Sequence, residues 1–236
     1  MEKNSLFQQG TMQILSEGLL DGTIKLEALL EHGDTGIGTG EGIDGELIIL
    51  NGKGFKINQK GQGIQLEDSF EIAFADVHFE NYVKLGEAAD IDLVACLEDS
   101  KEKILGTNIF FTVKIHGEFE MVHTRSSKKS TKPYPDLEKI AESQVEFYSE
   151  NVVGTILTYY APRLYQGIAV AGFHSHFIAD DCTVGGHVIS SKIKHASVYV
   201  QKFASFTQNN PIENSAFLAA NLSDINKLDN IIKKVE

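Results

Sequence analysis

The residues of this chain best suited to chemistry lie in Gly172-Phe-His174-Ser-His176-Phe, followed by Gly185-Gly186-His187. On an extended strand side chains alternate between faces. His174 and His176 therefore point the same way, about 7 Å apart along the chain. Asp180-Asp181 and Gly185-Gly186 favour chain reversal, which brings His187 opposite the first two. Three imidazoles converging from two rigid strands suit a first-row divalent cation, zinc above all. They leave a coordination position open, as a catalytic centre requires. A single histidine on an apolar strand is usually a packing residue; two at i, i+2 with a third across a glycine turn form a ligand pattern. Cys182, Asp180 and Asp181 fall in the turn itself and read as loop residues outside the ligand set.

The elements that must position this hairpin are mostly strands. Glu46–Leu50, Asn51-Gly52 and Lys53–Ile57 spell a hairpin with a type I′ turn pair. Residues 69–79, 108–124, 143–160, 167–178, 186–194 and 196–206 read as strands, with a turn expected at His116-Gly117. Residues 11–24 read as a strand-like or mixed apolar segment ending at the Asp21-Gly22 turn. Leu26 to His32 has helical spacing, Glu87 to Lys103 reads as a helix, and so does a C-terminal segment. In that segment Leu218, Leu222, Ile225, Leu228 and Ile232 recur at helical intervals behind a cap at Ser223 or Asp224. The glycine-rich stretch Gly33–Gly42 lacks the G-K-[ST] ending of a phosphate loop and reads as a loop of close backbone approach. Strands and helices do not alternate strictly, which excludes a doubly wound parallel sheet. The expected class is α+β with mixed and antiparallel sheets. The polar segment Arg125–Pro135 marks a boundary between an N-terminal part, 1–130, and a C-terminal part, 131–236.

Composition narrows the function. The 236 residues carry a formal net charge of −12, which argues against nucleic acid as a main partner, because phosphate binding needs a positive field. Two cysteines far apart imply no disulfide framework and a reducing compartment. The N-terminus carries no signal-peptide pattern, and no apolar run approaches membrane-spanning length. A cytoplasmic protein is the expectation.

Several separated motifs together resemble the bacterial α-acetolactate decarboxylases. They are Leu29-Leu-Glu-His-Gly-Asp34-Thr-Gly-Ile-Gly38-Thr39; Ile43-Asp-Gly-Glu46-Leu-Ile-Ile-Leu-Asn-Gly52; His123-Thr-Arg125-Ser126 with Lys132-Pro-Tyr-Pro135; Gly154-Thr-Ile156; and the histidine hairpin. The order is the family's, and the resemblance covers nearly the whole chain. It implies two sheet-based layers with a metal near their junction, and a zinc ion on His174, His176 and His187. It implies Glu46, Arg125 and a C-terminal glutamate, mapped to Glu236, around the site, with Thr39 close by. A homodimer is implied as well.

The implied substrate is 2-hydroxy-2-methyl-3-oxobutanoate, and these residue types suit its decarboxylation. Loss of carbon dioxide leaves an electron pair on the ketone oxygen. A cation chelating the hydroxyl and ketone oxygens stabilises that charge as it develops, and an arginine such as Arg125 offers paired donors to a carboxylate or oxyanion. A carboxyl of raised pKa then protonates carbon to give acetoin; from sequence this is Glu46 or Glu236. His123, two residues before Arg125, reads as structural, and His32, His78, His116 and His195 have no partner at ligand spacing. Two other classes stay open: a cupin-like oxygenase or isomerase, which adds a carboxylate ligand after H-x-H, and a metal-stabilised binding module without turnover.

Overall fold

The computed structural model describes residues 4–222. The first strands and helices are β1 (Ser5–Gln9), α1 (Met12–Ser16), β2 (Ile24–Lys25), α2 (Leu26–Leu30), β3 (Thr35–Gly40), β4 (Glu46–Leu50), β5 (Lys53–Ile57), β6 (Gly63–Gln65) and β7 (Glu71–His78). They are followed by β8 (Val83–Asp92), α3 (Leu93–Ile104), β9 (Phe111–Ser126), α4 (Leu137–Glu142), β10 (Val145–Ala161), β11 (Gly172–Ala179), β12 (Gly185–Lys202), β13 (Ser205–Asn209) and α5 (Ser215–Ala219).

These strands form two sheets. The first runs β13-β1-β7-β3-β4-β5-β6, with β2 also on β7, and is mixed because β13 joins β1 in parallel. The second is antiparallel and runs β11-β10-β9-β12-β8. It curls until β11 also pairs with the start of β12. The class is α+β, with few and short helices, as expected. The sheets do not follow a division at residue 130. The strands β9 and β10, on either side of it, are hydrogen-bonded neighbours, while β8 and β9 sit in the second sheet and β13 returns to the first.

Apolar faces hold the layers together. Ile37, Ile48 and Ile57 of the first sheet pack against Leu157, Tyr159 and Ile178 of the second. The other face of the first sheet is covered by Leu26 and Leu29 of α2. Helix α3 closes the second sheet with Leu93, Cys96 and Leu97.

Several elements depart from the sequence expectations, each for a physical reason. Residues 12–16 are helical, with the Thr11 hydroxyl accepting from the Ile14 N–H at 3.3 Å. Residues 87–92 are strand because they pair with β12, Ala88 opposite Ala196, and tertiary pairing outweighs helix propensity. There is no turn at His116-Gly117; β9 runs straight through. A Cβ on Gly117 would lie 2.4 Å from the His195 carbonyl oxygen, so that glycine serves the approach of β12. β12 is likewise one strand where two were expected. Leu218 lies in α5, which Asn214 caps; Ser223, Asp224, Ile225, Leu228 and Ile232 lie outside the described residues.

The glycine-rich stretch is a strand, β3, not a loop, but its glycines do permit close approach. A Cβ at Gly38 would meet the Phe74 carbonyl oxygen at 2.2 Å and the Ala75 Cβ at 2.8 Å. Gly38→Ala is therefore expected to destabilise the protein by about 1–3 kcal/mol through overpacking. Urea unfolding measures this, and an unchanged midpoint would show that β7 yields without cost.

Candidate metal centre

The histidine hairpin closes the curl of the second sheet. His176 of β11 stands directly opposite His187 of β12, and Ile178 opposite Gly185. The glycines make this closure sterically feasible: a Cβ on Gly185 would sit 2.6 Å from the Phe177 carbonyl oxygen, and one on Gly186 would sit 2.5 Å from that of Arg125. Alternation along β11 works as the spacing implied. Phe177 is buried in the core under α3, while His176 turns the other way, toward the first sheet. The ligand-capable nitrogens of His174, His176 and His187 all lie within 4.8 Å of one another.

Each side chain is delivered by an identifiable local structure. The His176 Nδ1–H donates to the Leu47 carbonyl at 2.8 Å. A carbonyl can only accept, so this bond fixes the tautomer and leaves a lone pair on Nε2. That Nε2 is buried without a hydrogen bond, although Glu46 Oε2 lies 3.2 Å away. The contact is one of proximity, not of hydrogen-bond alignment. Glu46 opens β4 beside Leu47, so one strand supplies both the orienting carbonyl and the carboxyl. Across the β3–β4 pair, Thr39 faces Glu46. Its hydroxyl donates to the Gly45 carbonyl at 2.8 Å, which shapes the turn that leads into Glu46. Arg125 is the register partner of His187. The flanking hydroxyls of Thr124 and Ser126 donate to the Gly185 and Ile57 carbonyls at 3.0 and 2.7 Å, pinning β9 to the hairpin and to the first sheet.

Burial dominates the electrostatics. It pushes the Glu46 carboxyl up to about 7, an effect that Arg125 opposes. It lowers His176 to about 4, and burial with neighbouring positive charge lowers His174 and His187 well below the usual imidazole range. Neutral imidazoles with free lone pairs are what a metal ligand must be. Three clustered imidazoles whose protonation is disfavoured, one with its tautomer fixed and its Nε2 left without a hydrogen bond, fit a divalent cation.

The structure therefore gathers His174, His176, His187, Glu46, Arg125 and Thr39 around one cavity near the junction of the sheets. Glu236 lies outside the described residues. An apolar wall of the cavity is built from Met12 and Leu15 of α1, Ile43, Phe74, and Leu137 and Ala141 of α4. Sequence reasoning missed this wall and Gln144, which also lines the cavity. None of these residues has a chemical signature; only the packing of α1 against α4 reveals them.

The turn residues stay outside the ligand group. Asp180 lies near His116, at 3.8 Å, and Asp181 accepts from Thr183. His123 bonds Glu146 at 2.8 Å and stacks on Tyr148. The family model of alpha-acetolactate decarboxylase matches residues 6–224. This chain belongs to the α-acetolactate decarboxylase family. Among its relatives, the alpha-acetolactate decarboxylase of Lactococcus lactis subsp. lactis is 36% identical over 100% of this chain and 99% of its own length. That of Brevibacillus brevis is 36% identical over 86% of this chain and 72% of its own. Two solved α-acetolactate decarboxylase-type structures share the fold. One, from Staphylococcus aureus and described as a protein of unknown function similar to alpha-acetolactate decarboxylase, superposes with a TM-score of 0.95 at 33% identity, covering 99% of this chain and all of that one. The Bacillus subtilis strain 168 alpha-acetolactate decarboxylase superposes with a TM-score of 0.91 at 27% identity, covering 98% of this chain and 99% of that one.

Proposed function

We propose that the protein is a metal-dependent acetolactate decarboxylase, converting 2-hydroxy-2-methyl-3-oxobutanoate to acetoin and carbon dioxide. The observation that carries the reading is the facing arrangement of His176 Nε2 and Glu46 Oε2 at 3.2 Å, inside a three-histidine group, in a chain of this family. His174, His176 and His187 would hold the cation, and zinc suits a set of three imidazoles with an open position. When bound, the cation supplies Lewis acidity to the substrate's hydroxyl and ketone oxygens.

The chain's own residues do the rest. Arg125 sits beside His187, where its guanidinium receives the substrate carboxylate or the oxygen on which charge develops. The C1–C2 bond breaks with its electron pair passing onto the ketone oxygen, and carbon dioxide leaves. The apolar wall of α1 and α4 takes the methyl groups and excludes water that would otherwise compete for that charge. A proton then returns to carbon on one face. Glu46, nearly fully buried and with its carboxyl raised to about 7, is a suitable donor among the described residues; Glu236 is the alternative. Thr39 positions Glu46 through the β3–β4 turn.

The reading includes a small-molecule 2-hydroxy-3-oxo acid as partner, no nucleic acid, a cytoplasmic location and a homodimer. The family supports the small-molecule substrate, and the net charge of −12 argues against nucleic acid. Among the described residues no helix is long and apolar enough to cross a membrane. The test is acetoin release from racemic acetolactate by zinc-loaded protein, with the uncatalysed rate subtracted. Release well above background is expected. Folded, zinc-loaded protein that releases none would overturn the reading, and oxygen consumption would then be measured for the oxygenase alternative.

A further inference from the structure

The cavity contains one polar side chain to which neither metal binding nor the steps above assign a role. Gln144 directly follows α4 and the Ser143 cap, and lines the cavity with the three histidines. Its Nε2 donates to the Ser127 hydroxyl oxygen at 3.0 Å. Ser127 is buried, two residues beyond Arg125. With the nitrogen held by serine, the amide has one orientation, and its carbonyl oxygen is directed elsewhere. That oxygen is closed off from solvent and has no hydrogen-bond partner among the described residues, the same condition as His176 Nε2 in the same cavity.

A buried acceptor without a donor is costly, and such groups call for a specific explanation. The chemistry of the cavity supplies one. A 2-hydroxy-3-oxo acid has carboxylate and ketone oxygens that only accept, so its 2-hydroxyl is the single donor it brings. Arg125 only donates and the apolar wall offers no acceptor. Thr39, whose proton goes to Gly45, keeps an accepting oxygen. Glu46 also accepts, and it lies 3.2 Å from His176 Nε2. Of the oxygen acceptors lining the cavity, Gln144 Oε1 is the one left buried with no partner among the described residues.

We propose that the Gln144 carbonyl accepts the hydrogen bond of the substrate's 2-hydroxyl, with Ser127 holding the amide in the orientation that makes this contact. The inference rests on the decarboxylase reading and adds a determinant of specificity to it. A site with an acceptor waiting for a hydroxyl discriminates against the analogue that lacks one, because that analogue leaves the acceptor unpaired. Gln144 thereby favours 2-hydroxy-3-oxo acids over 3-oxo acids with hydrogen or an alkyl group in that place.

The test compares two carboxylates that differ only in the hydroxyl, 2-hydroxy-2-methylpropanoate and 2-methylpropanoate. Their binding to zinc-loaded protein is measured by calorimetry. Wild type is expected to prefer the hydroxy acid. Gln144→Leu is expected to weaken the hydroxy acid about tenfold and leave 2-methylpropanoate unchanged, so the preference narrows. Ser127→Ala moves the ratio the same way by less. If Gln144→Leu does not fold, Gln144→Met carries the comparison, since it keeps the length without the carbonyl. Equal weakening of both acids would mean a purely structural role, and an unchanged ratio would mean no contact; either overturns the proposal, as does a wild type with no preference. Acetoin release is assayed on the same wild-type preparation. Turnover with an unchanged ratio sinks only the Gln144 assignment, whereas a narrowed ratio without turnover sinks the decarboxylase reading and leaves the hydroxyl contact standing.

Discussion

Glu46→Gln is expected to lower kcat for acetoin release by about 10²–10⁴-fold, the usual worth of a positioned proton donor. Glutamine keeps the shape of the side chain at the start of β4 and removes the ionisable proton, so loss of activity in a folded variant reads the proton and not the packing. Glu236→Gln, made alongside, separates the two candidate donors. If Glu46→Gln keeps full turnover while Glu236→Gln loses it, the donor is Glu236. The metal-free protein offers a second readout. The Glu46 carboxyl rises from its ordinary 4.5 to about 7 in the folded protein. Its protonated form is favoured by folding, so the stability linked to it is fully present below pH 4.5 and is lost as pH rises through about 7. The Glu46→Gln variant should lack that part of the pH dependence, as a series of thermal melts would show.

Arg125→Lys is expected to reduce kcat/KM by about 10²–10³-fold, the loss typical of removing a donor from a developing oxyanion. The positive charge remains, but the paired planar donors that fit a carboxylate are gone. Steady-state kinetics on acetolactate measures it. A rise in KM with kcat intact assigns Arg125 to holding the substrate carboxylate, while a fall in kcat assigns it to the charge that develops as carbon dioxide leaves. A lysine variant with unchanged kcat/KM would remove Arg125 from the account. The strand geometry favours a clean measurement. Arg125 lies between Thr124 and Ser126, whose hydroxyls tie β9 to Gly185 and Ile57 independently of the guanidinium.

The part of the site that could be read in the sequence is the part encoded by local periodicity. His174 and His176 share a face because strands alternate, and the turn places His187 opposite His176. The Asn51-Gly52 hairpin was legible for the same reason: both residues adopt positive φ, 52° and 72°, as a type I′ turn needs. Glu46, Arg125 and Thr39 have no such local signature and were singled out through the family resemblance alone. The rest depends on contacts between distant elements. Gly117 looks like a turn residue until β12 is seen packed against it. Residues 87–92 look helical until they are paired with 192–197. The apolar wall needs α1 and α4, separated by more than a hundred residues, to meet over the histidines. Gln144 looks like an ordinary polar residue after a short helix, and only its unpaired buried oxygen distinguishes it.

The central claim is that three histidines hold a cation on which turnover depends. The most direct measurement is a zinc titration of chelator-treated protein, following acetoin release at each addition, with His176→Ala treated in parallel. The account predicts activity near zero in the metal-free protein and a linear rise with zinc that breaks at about one equivalent per chain, the one cation this three-histidine group can hold. His176→Ala should stay inactive throughout while retaining its fold. Turnover that survives complete removal of metal, or a His176→Ala protein that titrates like wild type, would contradict it.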